Sequence, residues 1–136
     1  MIRTAMTRNI GTRRTTNVTL PKVSVLKVDK DCYVTRGWIT DWARLVVVPV
    51  CGRFGVKVEE IHKTNSRKGV HFYIRISPSV HAELANRLQW LLGDDCRRVD
   101  FNRARIEVRY AAWNELFERE KPTFSLIYPP RINGGV

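Results

Sequence analysis

Ser66-Arg67-Lys68-Gly69-Val70-His71-Phe72-Tyr73-Ile74-Arg75-Ile76 reads as a basic, glycine-containing turn that feeds a β-strand. Strand side chains alternate between two faces, so Val70, Phe72, Ile74 and Ile76 fall on one side and His71, Tyr73 and Arg75 on the other. The first face is apolar and suits a core. The second carries an imidazole, a phenol and a guanidinium, groups that contact phosphates and bases. Upstream, Val25-Leu26-Lys27-Val28-Asp29-Lys30-Asp31 closes another strand with two carboxylates at i and i+2, hence on one face. Two acids on one strand and a histidine on another point to a metal-dependent nucleotide site.

The pattern around these strands supplies the rest of a domain. Trp38, Ile39, Trp42, Leu45 and Val46 recur at helical spacing, which predicts a helix over 35–48 that Pro49 kinks or ends. Gly52 to Gly55 form its exit turn, and Val56, Val58 and Ile61 mark a strand that makes a hairpin with the one after Gly69. Ser77-Pro78 has the order of an N-cap and first helical residue. Val80, Leu84, Leu88, Leu91 and Leu92 then line the following helix, and Gly93 stands at its C-terminal cap. Further strands are expected over 106–110 and 124–128, with a short amphipathic turn over 113–120. Strand, helix, strand, strand, helix and a mixed end give an α+β fold, ferredoxin-like or RNA-recognition-like, with helices on one face of an antiparallel sheet and the other face free. One domain over 22–128 is expected, between a basic flexible arm at 1–21 and a tail at 129–136.

Charge narrows the partner. The 136 residues carry 24 Lys and Arg against 13 Asp and Glu, a formal charge of +11. Such a field attracts polyanions, and DNA or RNA is the commonest partner of small basic domains. An anionic membrane surface, an acidic protein or solubility alone are the blander readings. Arg3, Arg8, Arg13 and Arg14 stand in an arm without acids, suited to lying along a phosphate backbone. No apolar run approaches the ~18 residues a spanning helix needs, and no signal-like apolar segment follows the first arginines. Cys32, Cys51 and Cys96 are widely spaced and odd in number, as in a reducing, cytoplasmic setting without structural zinc.

Asp29 and Asp31 are spaced so that both can reach one Mg²⁺ or Mn²⁺ when substrate phosphates complete its shell. The competing reading is a solvated strand end, where Asp is common. Ser66, Arg67, Lys68 and Gly69 place a hydroxyl, two cations and a flexible backbone before His71, a set able to hold a triphosphate or a backbone phosphate. It serves equally as an exposed hairpin turn. Tyr73 is the aromatic placed to stack on a base, with Arg75 beside it. From Asp94 to Arg105, acids and arginines alternate. Arg98 or Arg103 pairing with Asp94, Asp95 or Asp100 is one reading, and Arg97, Arg98, Arg103 and Arg105 tracking phosphates is the other.

Taken together, these pieces resemble the archaeo-eukaryotic primases and primase-polymerases. Asp29-x-Asp31 after an apolar strand looks like their first motif, and Ser66-x-x-Gly69-x-His71 like their second. The resemblance covers roughly 23–76, with a looser echo in Val99-Asp100 as the single-acid third motif, for which Asp94 and Asp95 compete. It implies a core related to the RNA-recognition fold, acids that hold the catalytic metal, and a histidine that contacts the phosphates of an incoming nucleoside triphosphate. Lys30 between the acids, Arg67 in place of the motif's first glycine, and the shortness of the chain describe a reduced core and weigh against intact nucleotidyl transfer. The expected setting is replication or repair of a mobile element. A metal-free RNA- or DNA-binding module and a nucleic-acid-packaging protein are the rival readings.

Overall fold

The computed structural model describes residues 19–131. Strand β1 (Val23–Lys30) leads into helix α1 (Arg36–Trp42), a π-helical turn (Ala43–Val47) and helix α2 (Val48–Arg53). Strands β2 (Lys57–Asn65) and β3 (Val70–Val80) form the hairpin, followed by α3 (Ala82–Leu91), α4 (Cys96–Glu107) and β4 (Ser125–Tyr128). The four strands make one antiparallel sheet in the order β1-β3-β2-β4. This is the expected α+β class.

Register follows the alternation read in the sequence. Leu26 pairs with Ile74 and Val28 with Phe72, and Ile61 joins Ile74 from β2, so these side chains share one face. They are fully buried, with Trp42, Val47 and Leu88 of the helices in the same cluster. Burying each such side chain is worth about 1.5–3 kcal/mol. Trp42 anchors the layer: its ring lies 4.5 Å from that of Phe72, and its indole N–H donates to the Leu92 carbonyl at 3.0 Å. Of the other tryptophans, Trp113 is buried while Trp38 and Trp90 are exposed.

The helix after β1 does not end at Pro49. It continues to Arg53, with Pro49 in the first turn of α2 immediately after the π-helical turn. A proline there forfeits no amide that the new turn needs, and the widened turn before it relieves the ring's clash with the preceding carbonyls.

The fourth strand lies beside β2, whereas a ferredoxin-like chain returns its last strand to the β1 edge. Side chains from α3, α4 and the turn between them occupy that edge instead. The Lys27 amide donates to Gln89 Oε1 and the Asp29 amide to Asp94 Oδ1, both at 2.9 Å, while Arg98 Nη1 donates to the Lys27 carbonyl at 3.3 Å. These three bonds satisfy an edge that another strand would otherwise pair.

The segment expected as a strand over 106–110 belongs to α4 and its exit. Asp95 caps the helix by accepting from the Arg97 amide, and Val99, Asn102 and Ile106 face inward. Arg109, at φ 61°, turns the chain out of α4, and Trp113 plugs the next stretch of chain into the core. The chain then crosses the sheet face opposite the helices, so that face is covered over His71 and Tyr73 rather than free, while Arg75 stays exposed. Among the described residues no helix is long and apolar enough to cross a membrane.

Candidate metal and phosphate site

Three cross-strand rows form the face opposite the helices: Asp29-His71-Thr64, Lys27-Tyr73-His62 and Val25-Arg75-Glu60. The first row is the chemical centre. His71 is only 6% exposed because Glu118, in the crossing segment, lies over it. Its Nδ1 is 3.0 Å from Glu118 Oε2, and the Tyr73 hydroxyl donates to the same oxygen. An ionised carboxylate only accepts, so a proton on Nδ1 suits the Glu118 contact, while Nε2 faces Asp29 Oδ1, 3.5 Å away. Phe124 meets Tyr73 edge-on, with ring centroids 5.5 Å apart.

At the end of β1, one carboxylate oxygen from each of Asp29, Asp31 and Asp95 lies within 4.8 Å of the others. The fold forces this proximity. Asp94 Oδ1 accepts both the Asp29 and Asp95 amides at 2.9 Å, tying the strand end to the start of α4. Burial raises the pKa of Asp29, Asp31 and Asp94 raise it further, and His71 and Arg98 oppose them. Burial also pushes Asp94 up, against Arg98 and the two amides that favour its charged form.

Buried oxygens without a hydrogen-bond partner surround His71. Among the described residues these are Asp29 Oδ1, Thr64 Oγ1 and Glu118 Oε1. Asp29 and Thr64 are the cross-strand neighbours of His71, and Glu118 covers it. Buried polar oxygens are normally paired. An all-oxygen donor set on two backbone elements, with an orphaned carboxylate oxygen, fits a hard divalent cation such as Mg²⁺ or Mn²⁺.

The other expected site residues divide. Asp100 is not in the cluster: it lies on the exposed side of α4, paired with Arg103 at 3.1 Å, and Asp95 stands where the third acid was expected. Ser66 and Gly69 close the hairpin on itself. The Gly69 amide donates to Ser66 Oγ at 3.0 Å and the Ser66 amide to the Gly69 carbonyl at 2.9 Å. Those groups are engaged in the turn rather than turned to a phosphate, while Arg67 and Lys68 project from it, exposed. Tyr73 is bonded and covered, which removes it as a stacking platform. Arg75 pairs with Glu60 at 3.1 Å.

Arg98 corrects a phosphate-tracking expectation. It is buried, ion-paired with Asp94, and donates to the Asn114 carbonyl and side chain at 2.8 and 2.7 Å. Arg97 is exposed. Arg3, Arg8, Arg13 and Arg14 lie outside the described residues.

Glu118 and Thr64 carry no signal in the sequence. Glu118 sits in a polar segment with no periodicity to flag it. Asp95 did leave a signal, since an acid pair followed by Val99, Asn102 and Ile106 is an N-cap before helical spacing. No protein-family model, curated protein or solved structure matches the chain.

Proposed function

We propose that this is a nucleic-acid-acting protein with a reduced primase-polymerase-like core, in which Asp29, Asp31 and Asp95 hold Mg²⁺ or Mn²⁺ against a nucleotide phosphate. One observation carries this reading: three carboxylates from two elements meet at the strand end that the His71 ring faces. A divalent ion there neutralises charge on phosphate oxygens. The protein's own part is to hold the acids close despite their repulsion, through the Asp94 amide bonds, and to orient Asp29 through His71 and Glu118. With its ring this buried, His71 serves as a positioning residue more readily than as a direct phosphate ligand. The charge of +11 and the resemblance support DNA or RNA as the partner, within the cell and in replication or repair.

The test is thermal unfolding with Mn²⁺ or Mg²⁺ and a nucleoside triphosphate. Ligand at ~100 times its Kd stabilises the folded state by about 2.7 kcal/mol, read as a rise in Tm. Asp29→Ala with Asp31→Ala, or Asp95→Ala alone, removes the rise, whereas Asp100→Ala keeps it. No rise in the unaltered protein, or equal loss in Asp100→Ala, overturns the assignment. Primer extension on a template asks separately whether transfer occurs.

A second reading, a non-catalytic RNA- or DNA-binding module, draws on the burial of His71 and Tyr73 and the self-closed Ser66–Gly69 turn. It predicts nucleic-acid binding indifferent to metal.

A further inference from the structure

The β2–β3 turn, the start of α1 and the β4 edge enclose a second concavity of about 700 Å³. Arg36, Lys63, Arg67 and Lys68 line it, and no acid among the described residues does. Within the described residues none of these four is in an ion pair, in contrast to Arg44, Arg75, Arg98 and Arg103, which the fold matches with acids. Lys63 donates to Asn65 Oδ1, at 3.3 Å. The floor is apolar, built by Ile39 and Val70 with Ile127 of β4. On the rim stands Tyr33, 87% exposed.

Four unmatched cations over an apolar floor, with a free aromatic at the edge, suit a chain of phosphates that also displays unpaired bases. A duplex keeps its bases stacked inside and presents only a convex backbone. A single strand offers phosphates to the cations and base faces to Tyr33 and the floor. The groove also abuts the acidic corner. Gly69 packs directly on the Lys30 carbonyl and the Cys32 amide, and Tyr33 follows Asp31 by two residues.

We infer that this groove binds single-stranded nucleic acid and leads it past the end of β1 toward Asp29, Asp31 and Asp95. The inference rests on the reading of the chain as a nucleic-acid protein and assigns the track, independently of whether the acids hold a metal.

The experiment is fluorescence anisotropy without divalent metal at ~50 mM salt, using oligo-dT, oligo-U and a mixed-sequence duplex, each of about 20 nucleotides or base pairs. Arg67→Glu with Lys68→Glu is compared with Arg87→Glu with Arg105→Glu, an equal charge change at exposed positions outside the groove. The groove reversal weakens single-strand binding at least ~10-fold and flattens the salt slope by about 1.4, two phosphates at ~0.7 each. The control pair changes affinity only about 2- to 3-fold, through the overall field. Tyr33→Ala costs at least ~5-fold on single strands and spares duplex binding. Arg67→Gln with Lys68→Gln gives a milder loss in the same direction, and circular dichroism confirms folding of each variant. The oligo-dT and oligo-U arms separate DNA from RNA. Absence of binding by the unaltered protein overturns both the groove and the nucleic-acid reading. Equal losses in groove and control pairs overturn the groove alone, and equal losses on single strands and duplex, with Tyr33→Ala silent, overturn the single-strand assignment.

Discussion

Asp94 Oδ1 accepts the backbone amide of Asp29 at 2.9 Å, across 65 residues of sequence. The same oxygen accepts the Asp95 amide, and the other carboxylate oxygen of Asp94 takes the Arg98 guanidinium. One buried side chain therefore completes an edge strand, starts a helix and sets the spacing between two acids of the candidate site. Stability and site geometry are coupled here because they use the same bonds.

Asp94→Ala tests that coupling. It strands Arg98 in a buried position without its counter-ion and leaves two amides unpaired, a change that typically costs about 3–5 kcal/mol. Asp94→Asn retains an acceptor oxygen and loses less. Urea unfolding measures both. A loss below about 1 kcal/mol for the alanine variant would show that β1 and α4 are held by something else.

Asp29 gives a pH dependence of definite sign. Its pKa is raised above the ordinary 3.8, chiefly by burial and then by Asp31. The folded chain therefore keeps this proton to a higher pH than the unfolded chain does. The group's favourable contribution is present below 3.8 and is lost as pH rises through the raised value. At neutral pH the ionised Asp29 lowers stability, so Asp29→Asn raises Tm in metal-free buffer while abolishing any Mn²⁺-induced rise. In the unaltered protein the Mn²⁺ effect fades as pH falls into the raised range, because the ion needs the deprotonated acids. A metal-free Asp29→Asn protein that melts below the unaltered one at pH 7 would contradict this account.

The two strands with strict alternation, β1 and β3, were legible in detail, and with them the sharing of one face by Asp29 and His71. Period-two alternation needs only local sequence. The start of α3 was not. Ser77-Pro78 has the form of a helix start, yet β3 runs through Val80 and His81 precedes the first turn. Val80, Leu88 and Leu92 are buried and Leu84 packs on the core, as the spacing predicts, whereas Leu91 is exposed and Ala82, Ala85 and Gln89 face inward. Gln89 is fully buried because its amide serves the β1 edge, 62 residues away. No local pattern announces such a bond, and for the same reason the place of β4 was hidden. The alternating charges after Asp94 masked a helix whose apolar positions are few. The third acid was accordingly expected at Asp100, five residues beyond Asp95, the acid that lies beside Asp29 and Asp31.

Gly69 is required for a reason different from phosphate approach. A Cβ there would stand 1.8 Å from the Lys30 carbonyl oxygen and 2.8 Å from the Cys32 nitrogen, both backbone atoms. Gly69→Ala must push the hairpin off the end of β1, at a cost of about 1–3 kcal/mol or more. Arg67→Ala and Lys68→Ala, exposed beside it, stay within ~0.5 kcal/mol. Denaturant midpoints for the three variants make the comparison. An unchanged Gly69→Ala would mean that the turn yields freely.

Glu118 is the residue that turns an exposed sheet face into an enclosed one. Its carboxylate receives both the His71 ring and the Tyr73 hydroxyl, and Trp113, buried upstream, holds the crossing segment in place. Glu118→Ala leaves those two partners unpaired under cover, at about 1–3 kcal/mol, unless the segment lifts and lets water reach them. Glu118→Gln keeps an acceptor oxygen and costs less. Chemical modification of histidine by diethylpyrocarbonate separates simple loss of a bond from lifting. His71 should react slowly in the unaltered protein and in Glu118→Gln, and much faster in Glu118→Ala if the segment lifts, with His62 and His81, both more exposed, as internal references. Nitrogen-15 shifts of the imidazole report the tautomer directly. In the unaltered protein they should show a proton on Nδ1, and a ring with none there would mean that Glu118 does not orient His71 toward Asp29.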